Sequence, residues 1–345
     1  MKIVKMISKI FLIAIGAVAA LFLLAWLSLH IAKYFMYSDY YAQRETVSRI
    51  PGLNDGFVPQ GLEYDAETDT YIHSGYNGSY AELYFVTGKE TKKLIPVNEA
   101  GEREPGHAGG VMRAGEYLYV CDNPNEGNGT LGFLRIYRFE DLMNDENGDE
   151  IKAIDTFEVD TSSSFGFSDD QYLYVGEFYR AVDYETRETH YYTTPAGDEN
   201  KAILSAYRLN DDGSLADVYP EFSISIPAQV QGFAIMKNGK IAVSTSWGLT
   251  PSHLEIHSGM QDSGMKITVP SKDDHGTTAT DPGKEIPLYY IDSSTREQDI
   301  VMPAFSEGIA VLDENTIAVS FESACNKYII GKLFFATKVV SFSLD

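Results

Sequence analysis

With 345 residues, 44% of them hydrophobic, the chain is long enough for one large domain or two small ones. Its 23 Tyr, 18 Phe and 29 Gly favour pleated surfaces joined by tight turns, and hence β-structure. The formal charge is −23, and residues 1–36 contain four lysines and no acid, so residues 37–345 carry −27. A surface of that sign repels nucleic acid, which is excluded as a partner, and suits a cationic or small polar ligand, a divalent ion or a basic protein.

The first element is a hydrophobic helix. Ile10 to Leu29 is uncharged, with Ser28 its one polar member. Twenty helical residues rise about 30 Å, the thickness of a bilayer's hydrocarbon core. Lys2, Lys5 and Lys9 precede the run and only Lys33 follows closely, so the positive-inside rule places the N-terminus in the cytoplasm. Tyr34, Tyr37, Tyr40 and Tyr41 then form an aromatic belt. A cleaved signal peptide would have a shorter apolar core ending at small residues, whereas Ala17-Val18-Ala19 lies mid-run. The expected order is a basic cytoplasmic tip (1–9), a signal-anchor span (10–32), a linker (33–44) and an extracytoplasmic domain (45–345) attached to the cell membrane by one helix.

Within that domain a short pattern recurs five times, a small-residue step and then Gly before an apolar residue. The glycines are 61, 110, 166, 232 and 308, at spacings that grow from 49 to 76 residues. Each is followed by a second apolar run: 70–74, 116–120, 171–175, 240–244 and 316–320. Third runs follow at 82–86, 134–138, 204–208, 287–291 and 338–342, and fourth runs at 93–97, 154–157, 222–226 and 299–302. Turn formers separate them, so each unit reads as four short antiparallel strands. The fifth unit lacks its fourth strand, and Glu45 to Pro51 supplies a match at the other end of the domain. This predicts an all-β fold: a five-bladed β-propeller closed by an N-terminal strand, which removes the exposed edges, preceded by one transmembrane helix.

The steps Pro-Gln-Gly-Leu62 and Glu307-Gly-Ile-Ala-Val311, set in this repeat grammar, resemble the extracytoplasmic propellers of the strictosidine-synthase-like, senescence-marker/gluconolactonase-like and phytase-like esterase families. Those relatives generally have six blades. The resemblance implies a propeller over 45–345 and an enzyme of lactonase or esterase type as one functional reading.

In a propeller, residues at the start of each first strand and the end of each second strand converge at one mouth of the channel. The positions before the repeat glycines are Gln60, Gly109, Phe165, Gln231 and Glu307, with His107 expected to fill the gap at Gly109 by strand alternation. After the second strands come Tyr76, Asp122, Glu177, Ser246 and Glu322, and next to Ser246 stands Trp247. The expected ligand-binding mouth is therefore Gln60, His107, Asp122, Glu177, Gln231, Trp247, Glu307 and Glu322. Glu307, Asp122 and Glu322 are the candidate metal ligands, since several carboxylates with amide oxygens suit Ca²⁺. His107 with Glu307 is a possible general-base pair. The same polar ring also serves a plainer purpose, hydrogen-bonding the neighbouring blades' backbone along the channel.

Loops after the second strands are expected to be long in blade three (178–202) and longest in blade four (247–286), the latter containing His253, His257 and His275 as exposed histidines. Cys121 and Cys325 show no metal-ligand spacing, and a disulfide between them is permitted but not required. No nucleophile elbow, P-loop, zincin helix or EF-hand loop is present. The reading is a membrane-anchored propeller that binds a ligand or protein partner at its mouth. The alternative is a Ca²⁺-dependent lactonase or esterase using the same residues.

Overall fold

The computed structural model describes residues 2–123, 129–272, 283–333 and 336–344. The chain divides into two compact units, Met1–Gln43 and Arg44–Asp345. The first unit is helical. Helix α1 (Lys2–Met36) carries the apolar run, and its stretch Met6–Met36 is long and apolar enough to cross a membrane. It extends past the expected span at both ends because no Pro breaks it before Tyr37. A short helix α2 (Ser38–Gln43) follows, and the rings of Tyr34 and Tyr41 lie 4.4 Å apart.

The second unit is a five-bladed propeller. Blade one runs Phe57–Asp65, Thr70–Asn77, Tyr80–Thr87 and Glu90–Val97. Blade two is Gly110–Ala114, Tyr117–Asp122, Phe133–Arg138 and Asp155–Glu158, and blade three is Phe165–Ser168, Tyr172–Gly176, Ala202–Arg208 and Phe222–Ile226. Blade four is Val230–Ile235, Ile241–Thr245, Ser252–His257 and Arg296–Met302. Blade five is Ser306–Val311, Thr316–Phe321 and Lys338–Ser343, completed by Glu45–Arg49. That closure is antiparallel, pairing Glu45 with Ser341 and Arg49 with Lys338, so the outermost position of the last blade is filled by the first strand of the domain.

The core lies between blades. Ile72, Leu83 and Phe85 of blade one cluster with Val111, Leu118 and Val120 of blade two, and Met112, Tyr119 and Leu134 of blade two with Leu173, Val175 and Tyr207 of blade three. Each buried side chain of this kind contributes about 1.5–3 kcal/mol. At the channel the innermost strands come closer than side chains allow. A Cβ on Gly61 would stand 2.8 Å from the Gly110 Cα, and one on Gly308 would stand 2.5 Å from the Leu62 nitrogen. The repeat glycines are thus the positions where five strands meet around a narrow axis.

Blade four departs from the sequence reading. Its third strand is Ser252–His257, not 287–291. The segment 287–291 falls in a hairpin, Gln261–Val269 with Lys284–Tyr290, whose second arm runs parallel to Phe222–Ile226 and widens blade three. The turn after the second strand of blade four therefore spans only 246–251. The physical reason is alternation: Ser252, Leu254 and Ile256 point inward while His253, Glu255 and His257 break the apolar run. His253 and His257 are accordingly strand residues and not exposed loop histidines. His253 Nδ1 lies 2.9 Å from Asp299, and His257 is buried with Nδ1 2.8 Å from the Thr295 hydroxyl. His275 lies outside the described residues.

Candidate functional site

Three of the innermost strands are bulged where the expected site residues sit. Strand register slips between Pro59 and Leu62, between Val230 and Gly232, and between Ser306 and Ile309, bracketing Gln60, Gln231 and Glu307. A bulge bends the strand and re-aims a side chain. The turns leading into four of the blades each hold a non-glycine residue in the left-handed region: Ala108 (φ 48°), Ser163 (52°), Gln229 (64°) and Phe305 (69°). Such conformations cost of order 1 kcal/mol each and persist where surrounding bonds over-determine them. Here the bonds are visible. The Gln229 carbonyl accepts from the Ser246 N–H at 3.0 Å, and the Phe305 carbonyl accepts from the Glu322 N–H at 3.0 Å. These links tie the start of a first strand to the end of its second, which is why Gln231 meets Ser246 and Glu307 meets Glu322 at the same end of their blades.

They converge on a cavity of about 260 Å³. Of the expected residues, Gln60, His107, Glu177, Gln231, Trp247, Glu307 and Glu322 line it. Asp122 does not line it. Its buried carboxylate is 3.1 Å from Arg135, which also pairs with Glu104 at 2.7 Å, and it accepts from the Asn123 N–H at 2.9 Å. Burial pushes the Asp122 carboxyl up and Arg135 works against that shift. His107 precedes its strand instead of alternating along it, and its ring stacks on Tyr76 with centroids 4.3 Å apart.

The deepest polar feature is a carboxyl pair. Glu307 and Glu322 are 3% and 7% exposed and hydrogen-bonded to each other. Burial, then the facing Glu322 charge, pushes Glu307 well above the usual carboxyl range. Burial pushes Glu322 up to about 8, against the opposing pull of Lys327 and a 3.1 Å bond from the Gln60 amide. Both carboxyls are thereby biased toward the protonated, uncharged form at neutral pH, with Glu307 donating to Glu322. Lys327 stands beside it, its ammonium bonded to the Tyr76 hydroxyl and 4.7 and 5.2 Å from the ring centroids of Tyr76 and Tyr328. Burial holds both phenols protonated.

Another part of the lining is aromatic. Trp247 lies 5.8 Å from Phe178 and 5.9 Å from Tyr184, and the Arg180 guanidinium sits 4.2 Å from the indole centroid. The long loop of blade three that carries Phe178 and Tyr184 is pinned by Glu177. Its carboxylate accepts from the Ile203 N–H at 3.2 Å and meets His190 Nδ1 at 3.0 Å. Burial opposes charge on His190, and the Glu177 carboxylate outweighs it, raising the imidazole above its ordinary value. Gln231 reaches the cavity with no hydrogen bond to a side chain among the described residues.

The three carboxylates expected to hold Ca²⁺ do not come together. Glu307 and Glu322 meet, Asp122 is committed to Arg135, and among the described residues no group of three His, Cys, Asp or Glu side chains is placed for a metal. Ca²⁺ takes six to eight oxygens, and a carboxyl pair biased toward its protonated form with an ammonium beside it is a poor donor set for a dication. Cys121 and Cys325 are both buried and unpaired. Residues the sequence did not flag are Lys327, Tyr328, Phe305 and His190. The first two follow Glu322 in the connection after a second strand, the face where mouth residues were sought, so their position was readable but their role was not.

No family model matches the chain, and no curated protein matches its sequence. Solved structures with a similar overall course include the PQQ-bound aldose sugar dehydrogenase of Streptomyces coelicolor, at 12% identity over 87% of this chain and 96% of that one with a TM-score of 0.40. A putative oxidoreductase (glucose dehydrogenase) of Thermus thermophilus is 14% identical over 88% and 99% with a TM-score of 0.43, and a luciferin-regenerating enzyme is 10% identical over 87% and 96% with a TM-score of 0.38. At such identities and scores these likenesses carry no chemistry across.

Proposed function

We propose that the chain is a membrane-anchored, extracytoplasmic propeller that binds a small, neutral, polyhydroxylated molecule, a sugar or related polyol, in the mouth of its channel. The observation that carries this reading is that the Glu307–Glu322 pair and a group of aromatic rings line one cavity. Carboxyls held toward their uncharged form offer both hydrogen-bond donors and acceptors without demanding a charged ligand, and the Lys327 ammonium adds further donors. Gln60, Gln231 and the Ser162, Ser164 and Ser246 hydroxyls extend the set, and the Trp247 and Phe178 rings offer flat apolar faces. Concave sites lined by rings with a few convergent polar groups are the usual form of a small-molecule site. The anchor rests on the uncharged helix and the lysines that precede it.

The test is thermal melting of the full chain in a polyoxyethylene detergent, with a panel of monosaccharides and disaccharides. A ligand at one hundred times its Kd stabilises a fold by about 2.7 kcal/mol, a shift of a few degrees. At least one saccharide should stabilise the wild type and not the Trp247→Ala variant. No shift across the panel would count against the reading. Stabilisation by millimolar Ca²⁺ that disappears in Glu307→Gln would instead restore the metal site.

A second reading, hydrolysis of an ester or lactone, is favoured by the hydrogen-bonded carboxyl pair with its raised proton affinity, since such a pair can act as acid and base in turn. Turnover of a lactone panel that is lost in Glu322→Gln would establish it.

A further inference from the structure

A second depression lies where the chain crosses from the closing strand of blade five into blade one. It encloses about 690 Å³ between residues 49–55, the connection that carries Ala324 and Lys332, and the outer strand of blade one. In a domain with a large negative excess, this groove is lined by Arg49, Lys93, Lys332 and Lys338 and, among the described residues, by a single acid, Asp55.

Three of those cations make no ion pair among the described residues. Among the described residues the Arg49 guanidinium bonds neutral oxygens, the Lys89 carbonyl and the Thr91 hydroxyl, and its Nε is buried with no partner there. Lys332 bonds the neutral Asn326 side-chain oxygen at 2.8 Å. Lys338 has no ion pair or side-chain hydrogen bond among the described residues. Lys93 pairs with Glu82 at 2.7 Å, and Glu82 is shared with Arg103. Several other arginines of the domain pair with carboxylates, Arg113 with Asp65, Arg135 with Asp122 and Glu104, Arg208 with Glu221 and Arg296 with Glu255, while Arg187 donates to the Gly129 carbonyl. Placing like charges together without counter-charges costs free energy unless an anion supplies them.

We propose that this groove binds a phosphate-type oxyanion, with Arg49 offering a guanidinium fork and Lys332 and Lys338 closing on it as point charges. The site is separate from the mouth and does not rest on the sugar reading. Two sources carry that chemistry, free phosphate and the phosphodiester of an anionic lipid, and the experiment separates them.

The full chain in a polyoxyethylene detergent is melted with inorganic phosphate against NaCl at matched ionic strength, beside the Lys332→Gln/Lys338→Gln variant. Neither lysine anchors the fold, so the variant should melt as the wild type does without phosphate. In parallel, the chain is reconstituted in nanodiscs of phosphatidylcholine alone or with phosphatidylglycerol, and amide exchange is followed over residues 49–55. Phosphate-specific stabilisation of a few degrees, lost in the double variant, supports a free-anion site. Slowed exchange at 49–55 only with phosphatidylglycerol, again lost in the double variant, identifies the lipid as the source. Stabilisation that survives in the double variant places the anion elsewhere and overturns the proposal. So does the absence of any effect from phosphate and phosphatidylglycerol alike.

Discussion

Glu307 and Glu322 show how burial turns two ordinary carboxyls into one functional unit. The sequence placed both at the mouth because each follows from a strand position, the first beside a repeat glycine and the second at the end of a second strand. It did not reveal that they touch, since that depends on the bulge at 306–309 and on the Phe305 carbonyl holding Glu322. Asp122 occupies the corresponding second-strand position in blade two, yet Arg135 on the adjacent strand captures it, and no spacing rule foretells such a capture. The pair has a consequence for stability. A carboxyl whose folded value is raised contributes stability that is fully present below its unfolded value of about 4.5 and is lost as pH climbs toward the folded value, about 8 for Glu322. The wild type should therefore melt progressively lower between pH 5 and pH 8. Glu322→Gln, which keeps an amide in place of the ionising group, should flatten that slope and melt a few degrees higher than wild type at pH 9, with little change at pH 5. Melting curves across pH read this directly, and a variant with the wild-type slope would show that the pair is not what titrates.

Among the elements, the innermost strands are the most constrained, and they were also the most legible. Their glycines recur because backbones meet there: a Cβ at Gly61 would stand 2.4 Å from the Ser74 hydroxyl and 2.8 Å from Gly110 Cα. Gly61→Ala should therefore cost about 1–3 kcal/mol by overpacking and lower the melting temperature, even though alanine is ordinarily the better strand residue. An unchanged melting temperature would mean that the channel can widen. The strands that were misassigned lie further out, where packing constrains sequence less. Ser252–His257 carries its apolar residues only at alternate positions, and the more continuous run at 287–291 looked like the better strand. Both are strands; what the sequence could not show is that one belongs to blade four and the other widens blade three through a parallel pairing, because pairing partners are set by the neighbouring blade.

For the whole molecule, the closing strand decides whether five blades form a ring. Repeat counting found it because Glu45–Arg49 fills the one vacancy in an otherwise regular series. Its register is testable. Glu45 and Ser341 face each other across the seam, so Glu45→Cys/Ser341→Cys should oxidise to a disulfide that raises the melting temperature, by an amount corresponding to about 2–4 kcal/mol. Thr46→Cys/Ser341→Cys, one residue out of register, should cross-link poorly; equal cross-linking of both would contradict the pairing. The long acidic surface and the apolar helix set the other large-scale properties, and both were plain from composition. The meeting of Arg49 with Lys332 and Lys338 at the seam was not, because Arg49 lies at the start of the domain and the two lysines near its end.

The central claim, a small neutral ligand in the mouth, has a reporter already in place. The chain has two tryptophans, Trp26 in the apolar helix and Trp247 in the cavity wall, so in a Trp26→Phe background the indole emission comes from the mouth alone. The full chain would be titrated with each saccharide to about 50 mM, well past a millimolar Kd, which corresponds to about −4 kcal/mol. The account predicts a saturable change in Trp247 emission with at least one saccharide, weakened at least about tenfold, roughly 1.4 kcal/mol, in Glu322→Gln. No saturable change with any saccharide, or one that Glu322→Gln leaves untouched, would contradict it.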